Sequence, residues 1–276
     1  MKEILREQLN HVRKNRPLIH NITNYVTVND CANILLACGA SPIMSDDINE
    51  VEDITSICGG LNINMGTLNQ NTVPAMLLAG KKANELGHPV ILDPVGVGAS
   101  KYRNEVASQL LKEVKFTVIR GNISEIKQLA LGSGTSRGVD ADVADTVTDQ
   151  TLDQTITFAK AFAKETGAVI AITGAIDIVT SKEQAYVIYN GNPMMSQITG
   201  TGCMLSAMTG AYITANSSTP LEATIASLCA MGLCGEKAFN RLTKQDGNAT
   251  YRNYIIDEIF HLTGESLEEG AKYEMR

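Results

Sequence analysis

The segments Pro89-Val90-Ile91-Leu92-Asp93-Pro94 and Phe116-Thr117-Val118-Ile119-Arg120-Gly121-Asn122 decide the fold. Each is a short apolar run ending in a polar turn, and residues 101–113 between them carry apolar positions at helical spacing. The runs are continuous rather than alternating, the pattern of strands buried on both faces. A helix joining two such strands makes a right-handed parallel crossover. The same order extends outward in both directions. Toward the N-terminus, a helix over 2–15 ends at Pro17, and the strand Leu18-Ile19-His20-Asn21-Ile22 leads into a helix through Cys38 that stops at Gly39. Pro42-Ile43-Met44 is a strand, with Ser45-Asp46-Asp47 expected to cap a helix near 48–58. Leu61-Asn62-Ile63-Asn64-Met65 is a strand, followed by a helix over 72–86 closed by Gly87. Toward the C-terminus come a helix near 123–131, a polar stretch at 132–146, a helix at 149–166 and the strand Ala168–Ile172. Ile176–Thr180 and Ala185–Tyr189 form a hairpin expected on the sheet's edge, and helices at about 203–215, 220–241 and 250–262 complete the chain. The expectation is a single α/β domain over 1–276, with a largely parallel central sheet, helices on both faces and an antiparallel edge hairpin.

Composition agrees. In 276 residues, 44% are hydrophobic and only 5% aromatic, so Ala, Ile, Val, Leu and Met must fill the core. The formal net charge is −7, and Arg13-Lys14-Asn15-Arg16 is the sole short basic run, which argues against a nucleic-acid binder. That run suits the C-terminal end of a helix. An anionic ligand stays possible, because backbone N–H groups can bind phosphate on an acidic protein.

The six cysteines show no C-x-x-C pair and no zinc spacing. Five read as small core residues in a reducing cytoplasm. From Gln184 to Leu221 the chain carries no charged side chain. Its most apolar part, Cys203–Ala215, rises about 20 Å as a helix, too short for a hydrocarbon core of about 30 Å. No membrane association is expected.

In an open parallel sheet, ligands bind beyond the carboxyl ends of the strands. There the sequence places Asn21 and Asn24, Met44, Gly66-Thr67, Asp93, Arg120-Gly121-Asn122 with Glu125, and Thr173-Gly174. A glycine loop, Ile198-Thr199-Gly200-Thr201-Gly202-Cys203, opens the apolar helix and suits a developing anion. The alternative reading is a tight loop before a core cysteine. Asp93 and Glu125 are carboxylates on adjacent strand ends and suit Mg2+, which takes few protein ligands. Asn122 and Glu125 read as readily as helix caps. Arg120 suits a phosphate or a neighbouring carboxylate. Met44 is a wall for an aromatic ring or a core residue, and His20 has no nucleophile–carboxylate pairing around it.

Taken together, several motifs carry a resemblance. The glycine loop before a late apolar helix, Asn122-Ile123-Ser124-Glu125 and Ile172-Thr173-Gly174 resemble the ribokinase-like superfamily. More narrowly, His20-Asn21-Ile22-Thr23-Asn24, Gly39-Ala40-Ser41-Pro42-Ile43-Met44, Asn64-Met65-Gly66-Thr67, Asp93-Pro94-Val95-Gly96-Val97-Gly98-Ala99, Ile119-Arg120-Gly121-Asn122 and Thr199-Gly200-Thr201-Gly202-Cys203 are similar to the hydroxyethylthiazole kinase family, in the family's order. The resemblance implies ATP-dependent phosphorylation of 4-methyl-5-(2-hydroxyethyl)thiazole in thiamine salvage. It implies ATP contacts at Arg120 and Thr173, substrate contacts at Met44, Gly200 and Asn24, Mg2+ at Asp93 and Glu125, and a catalytic position at Cys203. A homotrimer with active sites between subunits is implied as well. One segment departs: where the family has Gly-Pro-Gly-Ser, this chain has Asp246-Gly247-Asn248-Ala249-Thr250.

Cys203 is either a base or a residue that shapes the pocket and offers its backbone N–H. The rival readings are another ribokinase-like kinase, such as one for hydroxymethylpyrimidine, a nucleotide-dependent NAD(P)HX dehydratase on the same fold, or a non-enzymatic sensor.

Overall fold

The computed structural model describes residues 2–132 and 147–276. In chain order the elements are α1 (Lys2–Asn15), β1 (Leu18–Ile22), α2 (Val28–Cys38), β2 (Ser41–Met44), α3 (Val51–Ile57), β3 (Gly60–Asn64), α4 (Thr72–Glu85), β4 (Val90–Asp93), α5 (Lys101–Glu113), β5 (Val118–Gly121) and α6 (Ile123–Gly132). After residue 147 come α7 (Leu152–Thr166), β6 (Val169–Ile172), β7 (Asp177–Thr180), β8 (Ala185–Ile188), a 3-10 turn (Pro193–Gln197), α8 (Thr201–Ala215), α9 (Pro220–Arg241), α10 (Asn248–His261), α11 (Gly264–Gly270) and β9 (Tyr273–Met275).

The strands form one sheet in the order β2-β1-β3-β4-β5-β6-β7-β8-β9. The six strands from β2 to β6 pair in parallel, and β7, β8 and β9 add antiparallel. The fold class expected from the sequence is therefore the one observed.

The apolar strand runs are shared between two cores, one on each face. Ile91, Val118, Val169 and Ala171 enter the core built by α1, α2, α8, α9 and α10. Their neighbours Val90, Leu92, Ile119, Ile170 and Ile172 enter the opposite core, under α4 to α7. Because successive side chains alternate, Asn62 and Asn64 in β3, Asp93 in β4, Arg120 in β5 and Thr173 just past β6 all project toward the first core. This is the face that α8 covers, and the whole polar set converges on the start of that helix.

Several boundaries differ from the sequence reading for physical reasons. The helix expected from 48 starts at Val51, because the Asp47 side chain first closes a turn onto the Asn49 N–H at 2.9 Å. Ser45 does not cap it; its hydroxyl donates to Glu50. The strand expected at 116–119 runs over 118–121, since Thr117 is occupied with Val90 through both backbone and hydroxyl. The late helix opens at Thr201, which draws Gly202 and Cys203 into its first turn. The hairpin does not end the sheet. Beyond the expected last helix the chain adds α11 and β9, and β9 pairs with β8 and becomes the border strand. Most of the polar stretch at 132–146 lies outside the described residues.

The basic run does end α1, with Arg13 and Lys14 in its last turn, and Arg13 also serves the end of α10, donating to the carbonyls of Ile259 and Phe260 at 3.2 and 3.1 Å. The six cysteines are free, five buried and Cys203 half-buried. Among the described residues no helix is long and apolar enough to cross a membrane.

Candidate active site

The start of α8 organises the site. Gly200 is its N-cap, with φ +93, and no side chain caps the helix. A side chain at Gly200 is doubly disfavoured, because a Cβ there would also lie 2.6 Å from Thr27 Cγ2. The N–H groups of Thr201, Gly202 and Cys203 thus open the helix with no acceptor from a capping side chain, at the positive end of its dipole. Gly202 lets Arg120 approach: a Cβ on it would stand 2.7 Å from Arg120 Nη1.

Arg120 donates through Nη2 to Thr173 Oγ1, and its Nη1 lies 3.7 Å from Asp93 Oδ2. Its buried Nε has no hydrogen-bond partner. Arg120, Thr173 and Gly202 line a cavity of about 570 Å3, together with Asn122, Asp177 and Met231.

Asp93 is fully buried. Its Oδ2 accepts from Asn64 Nδ2 and Ser206 Oγ, both at 2.8 Å, while Oδ1 has no partner. Burial pushes this carboxyl above its ordinary range, against the opposing pull of the Arg120 guanidinium and the Ser206 hydroxyl. Glu125 is more engaged. Its Oε1 accepts from the Gly96 N–H and its Oε2 from the Asn122 N–H, both at 2.9 Å, and Asn122 Oδ1 accepts from the Glu125 N–H at 2.8 Å. That reciprocal pair is a capping box. No group of three or more His, Cys, Asp or Glu among the described residues could hold a metal ion. A single unpartnered carboxylate oxygen suits a hard cation that keeps most of its own water.

Cys203 sits at the junction. Asn24 Nδ2 and Asn64 Nδ2 donate to its sulfur at 3.2 and 3.3 Å. Met44 is elsewhere: it lines a smaller hollow of about 150 Å3 with Asn21, Thr23, Tyr25 and Thr67. So Arg120, Thr173, Asp93 and Cys203 come together around the start of α8. Met44 lines a separate recess, and Gly200 faces Thr27.

Three side chains in this site were not singled out from the sequence. Asn64 was legible in principle, since Asn62 and Asn64 are polar at period two in an apolar strand and Asn64 pairs in register with Asp93. Ser206 follows Cys203 by one helical turn and so shares its face. Asp177 opens β7 beside Arg120 in the cavity lining, and its Oδ1 accepts from the Gly174 N–H at 2.9 Å. Burial pushes its carboxyl up to about 7, against that N–H and Arg120. The divergent segment at 246–250 opens α10, where Asn248 Nδ2 donates to the Gln197 carbonyl at 3.3 Å.

Strand order, crossovers and the glycine loop at a late central helix define the ribokinase-like class. A ribokinase-like superfamily protein from Enterococcus faecalis V583 matches with a TM-score of 0.59 over 94% of this chain and 95% of that one, at 12% identity, a likeness of fold alone. A family model described as the hydroxyethylthiazole kinase family matches residues 9–265. A hydroxyethylthiazole kinase of Clostridium acetobutylicum is 72% identical over 271 residues, 98% of this chain and 99% of that one. The solved hydroxyethylthiazole kinase protein of Pyrococcus horikoshii OT3 has a TM-score of 0.87 and 33% identity, covering 99% of this chain and 98% of that one. The chain belongs to the hydroxyethylthiazole kinase family.

Proposed function

We propose that this chain transfers the γ-phosphoryl group of ATP to the primary hydroxyl of 4-methyl-5-(2-hydroxyethyl)thiazole, yielding the thiazole phosphate used in thiamine salvage. The observation that carries this reading is the uncapped start of α8, facing Arg120 and Thr173 in the large cavity and bearing Cys203 in its first turn. Phosphoryl transfer asks mainly for positioning and charge neutralisation, and backbone N–H groups at a helix start supply both to an anion. Family membership supports the choice of substrate.

In this reading Arg120 and Thr173 hold the phosphate chain, and the N–H groups of Thr201 to Cys203 hold the transferring group as its charge redistributes. Asp93, through its unpartnered Oδ1, and Glu125, whose oxygens also serve backbone N–H groups, are the residues that would hold Mg2+. When bound, the ion neutralises charge on the phosphate oxygens. Cys203 faces the alcohol and receives its proton. Met44, Gly200 and Asn24 lie on the alcohol's side, with the Met44 thioether as an apolar wall for the thiazole ring.

The Met44 recess opens beside exposed Tyr25, and Val26, Leu36, Ile48 and Ile57 are exposed on the same β1–α3 part of the chain. Such apolar exposure supports a homotrimer whose active sites lie between subunits. We read the chain as a single domain built on its one sheet, working in the cytoplasm, where buried free thiols persist.

A product assay with Mg·ATP and the thiazole alcohol, hydroxymethylpyrimidine or ribose tests the assignment. The thiazole alcohol is expected to be the preferred acceptor. Preference for either other acceptor overturns the substrate, and nucleotide-dependent dehydration without phosphoryl transfer overturns the class.

A further inference from the structure

The two amides that touch Cys203 are fixed in orientation by groups that can only donate. Asn24 Oδ1 accepts from the Thr27 backbone N–H at 3.1 Å, and Asn64 Oδ1 accepts from the Gly66 N–H at 2.9 Å. Turning either amide over would set N–H against N–H, so both nitrogens must point where they do. Each Nδ2 carries two protons. Asn64 gives one to Asp93 Oδ2 at 2.8 Å and the other to the Cys203 sulfur. Asn24 gives one to Asn64 Oδ1 at 3.0 Å and the other to the same sulfur. The remaining lone pair of Asn24 Oδ1 takes the Thr27 hydroxyl at 3.0 Å.

Two consequences follow. Asn24 has no donor or acceptor left for a substrate, since every position on its amide is used within the chain. The Cys203 sulfur receives two N–H donors, which is the environment of an acceptor rather than a donor.

We propose that Asn24 and Asn64 are positioning residues that hold the Cys203 sulfur as a hydrogen-bond acceptor toward the incoming alcohol, with Asn24 acting on the sulfur and not on the substrate. This rests on the kinase reading above and sharpens it. In the step it serves, the hydroxyl proton passes to the Cys203 sulfur as the alcohol oxygen bonds to the γ-phosphorus. The bond from that phosphorus to the β–γ bridging oxygen breaks, and its electron pair leaves on ADP. Asn64 also donates to Asp93, so one side chain sets the spacing between the sulfur and the carboxylate.

The test combines kinetics with the chemistry of the resting sulfur. Asn24→Ala is expected to lower kcat about 10- to 100-fold with both KM values nearly unchanged. In a Cys203→Ala background the same change is expected to have little further effect, because the group it acts through is gone. Asn24→Asp, nearly equal in size, replaces the donor with an acceptor and is expected to lose as much as alanine does. Multiplicative losses in the double variant, or a raised KM for the alcohol with kcat retained, overturn the proposal. Independently of turnover, alkylation of half-buried Cys203 is expected to slow several-fold in Asn24→Ala and Asn64→Ala, as the N–H donors that orient the sulfur are removed. Unchanged alkylation in both overturns it. If the wild-type chain fails to phosphorylate the thiazole alcohol, the assigned function falls, while the alkylation comparison still decides the amide pair.

Discussion

Arg120 donates to Thr173 across the ends of two neighbouring strands, and only a residue without a side chain at Gly202 leaves room for that guanidinium. The pair is therefore held from two sides, by a hydroxyl on one strand end and by the backbone of α8. Gly202→Ala is expected to push the guanidinium off Thr173, because the new Cβ would stand 2.7 Å from Nη1. The KM for ATP should rise about tenfold or more, and Arg120→Lys, which keeps the charge but loses the fork, should fall in the same direction. Steady-state kinetics with ATP varied check both; an unchanged KM in both variants removes Arg120 from the nucleotide site.

Arg103 of α5 braces the two loops that follow Asn64 and Asp93. It donates to the carbonyls of Met65, Val95 and Gly66, the last two at 2.7 and 2.8 Å. Arg103→Met would strand those carbonyls, and a loss of about 2–3 kcal/mol is expected from charged hydrogen bonds of this kind. Urea denaturation measures it. A stability within error of wild type would mean that the loops hold themselves.

The carboxyl of Asp177 has a folded-state pKa raised from 3.8 to about 7, chiefly by burial. A raised pKa means the folded state binds the proton more tightly, so the contribution to stability is full below 3.8 and is lost as pH rises through about 7. Asp177→Asn, which stays neutral, should melt less differently at pH 5 and pH 8 than wild type does, by about 2 °C or more. Thermal melts across that range decide it, and parallel curves would exclude a buried titration here.

His20 is the opposite case. It is fully buried, with Nε2 donating to the Ser45 carbonyl at 2.9 Å and Nδ1 lying 3.0 Å from Thr55 Oγ1. Burial lowers its pKa below 6.5, opposed by the Ser45 carbonyl and Glu50. The stability it contributes is present above 6.5 and is lost as pH falls toward the folded-state value. His20→Gln should therefore flatten the acid side of the stability curve. Since Ser45 follows Met44 at the small recess, the same variant should raise the KM for the thiazole alcohol more than that for ATP. Equal effects on both would place His20 outside substrate positioning.

Much of this architecture was legible from residue patterns. Continuous runs such as Val169-Ile170-Ala171-Ile172 supply side chains to two cores at once, so they announced buried parallel strands. The polar strand ends followed from where such runs stopped. The closing strand was not legible, because Tyr273-Glu274-Met275 is short and half-polar and gains its identity only by pairing with β8. Asn24 could be named from its motif, but the saturation of its amide depends on Thr27, Asn64 and Cys203 meeting in space. The sequence left Glu125 open between a cap and a site carboxylate, and the capping box with Asn122 bears out the first of these readings.

Leu5, Leu9 and Val12 of α1 share a core with Leu233, Ala238, Tyr251 and Leu267, and α1 packs directly on α9 and α11. During synthesis, then, α1 has to wait for α9 and α11 to emerge before it can bury its apolar face. The strands from β1 to β6 can begin pairing earlier, but the sheet face that α8 covers stays open until residue 215 has been made. A nascent chain of this protein therefore carries exposed apolar surface until α8 has been made, and a truncated product that ends before α8 leaves that sheet face uncovered.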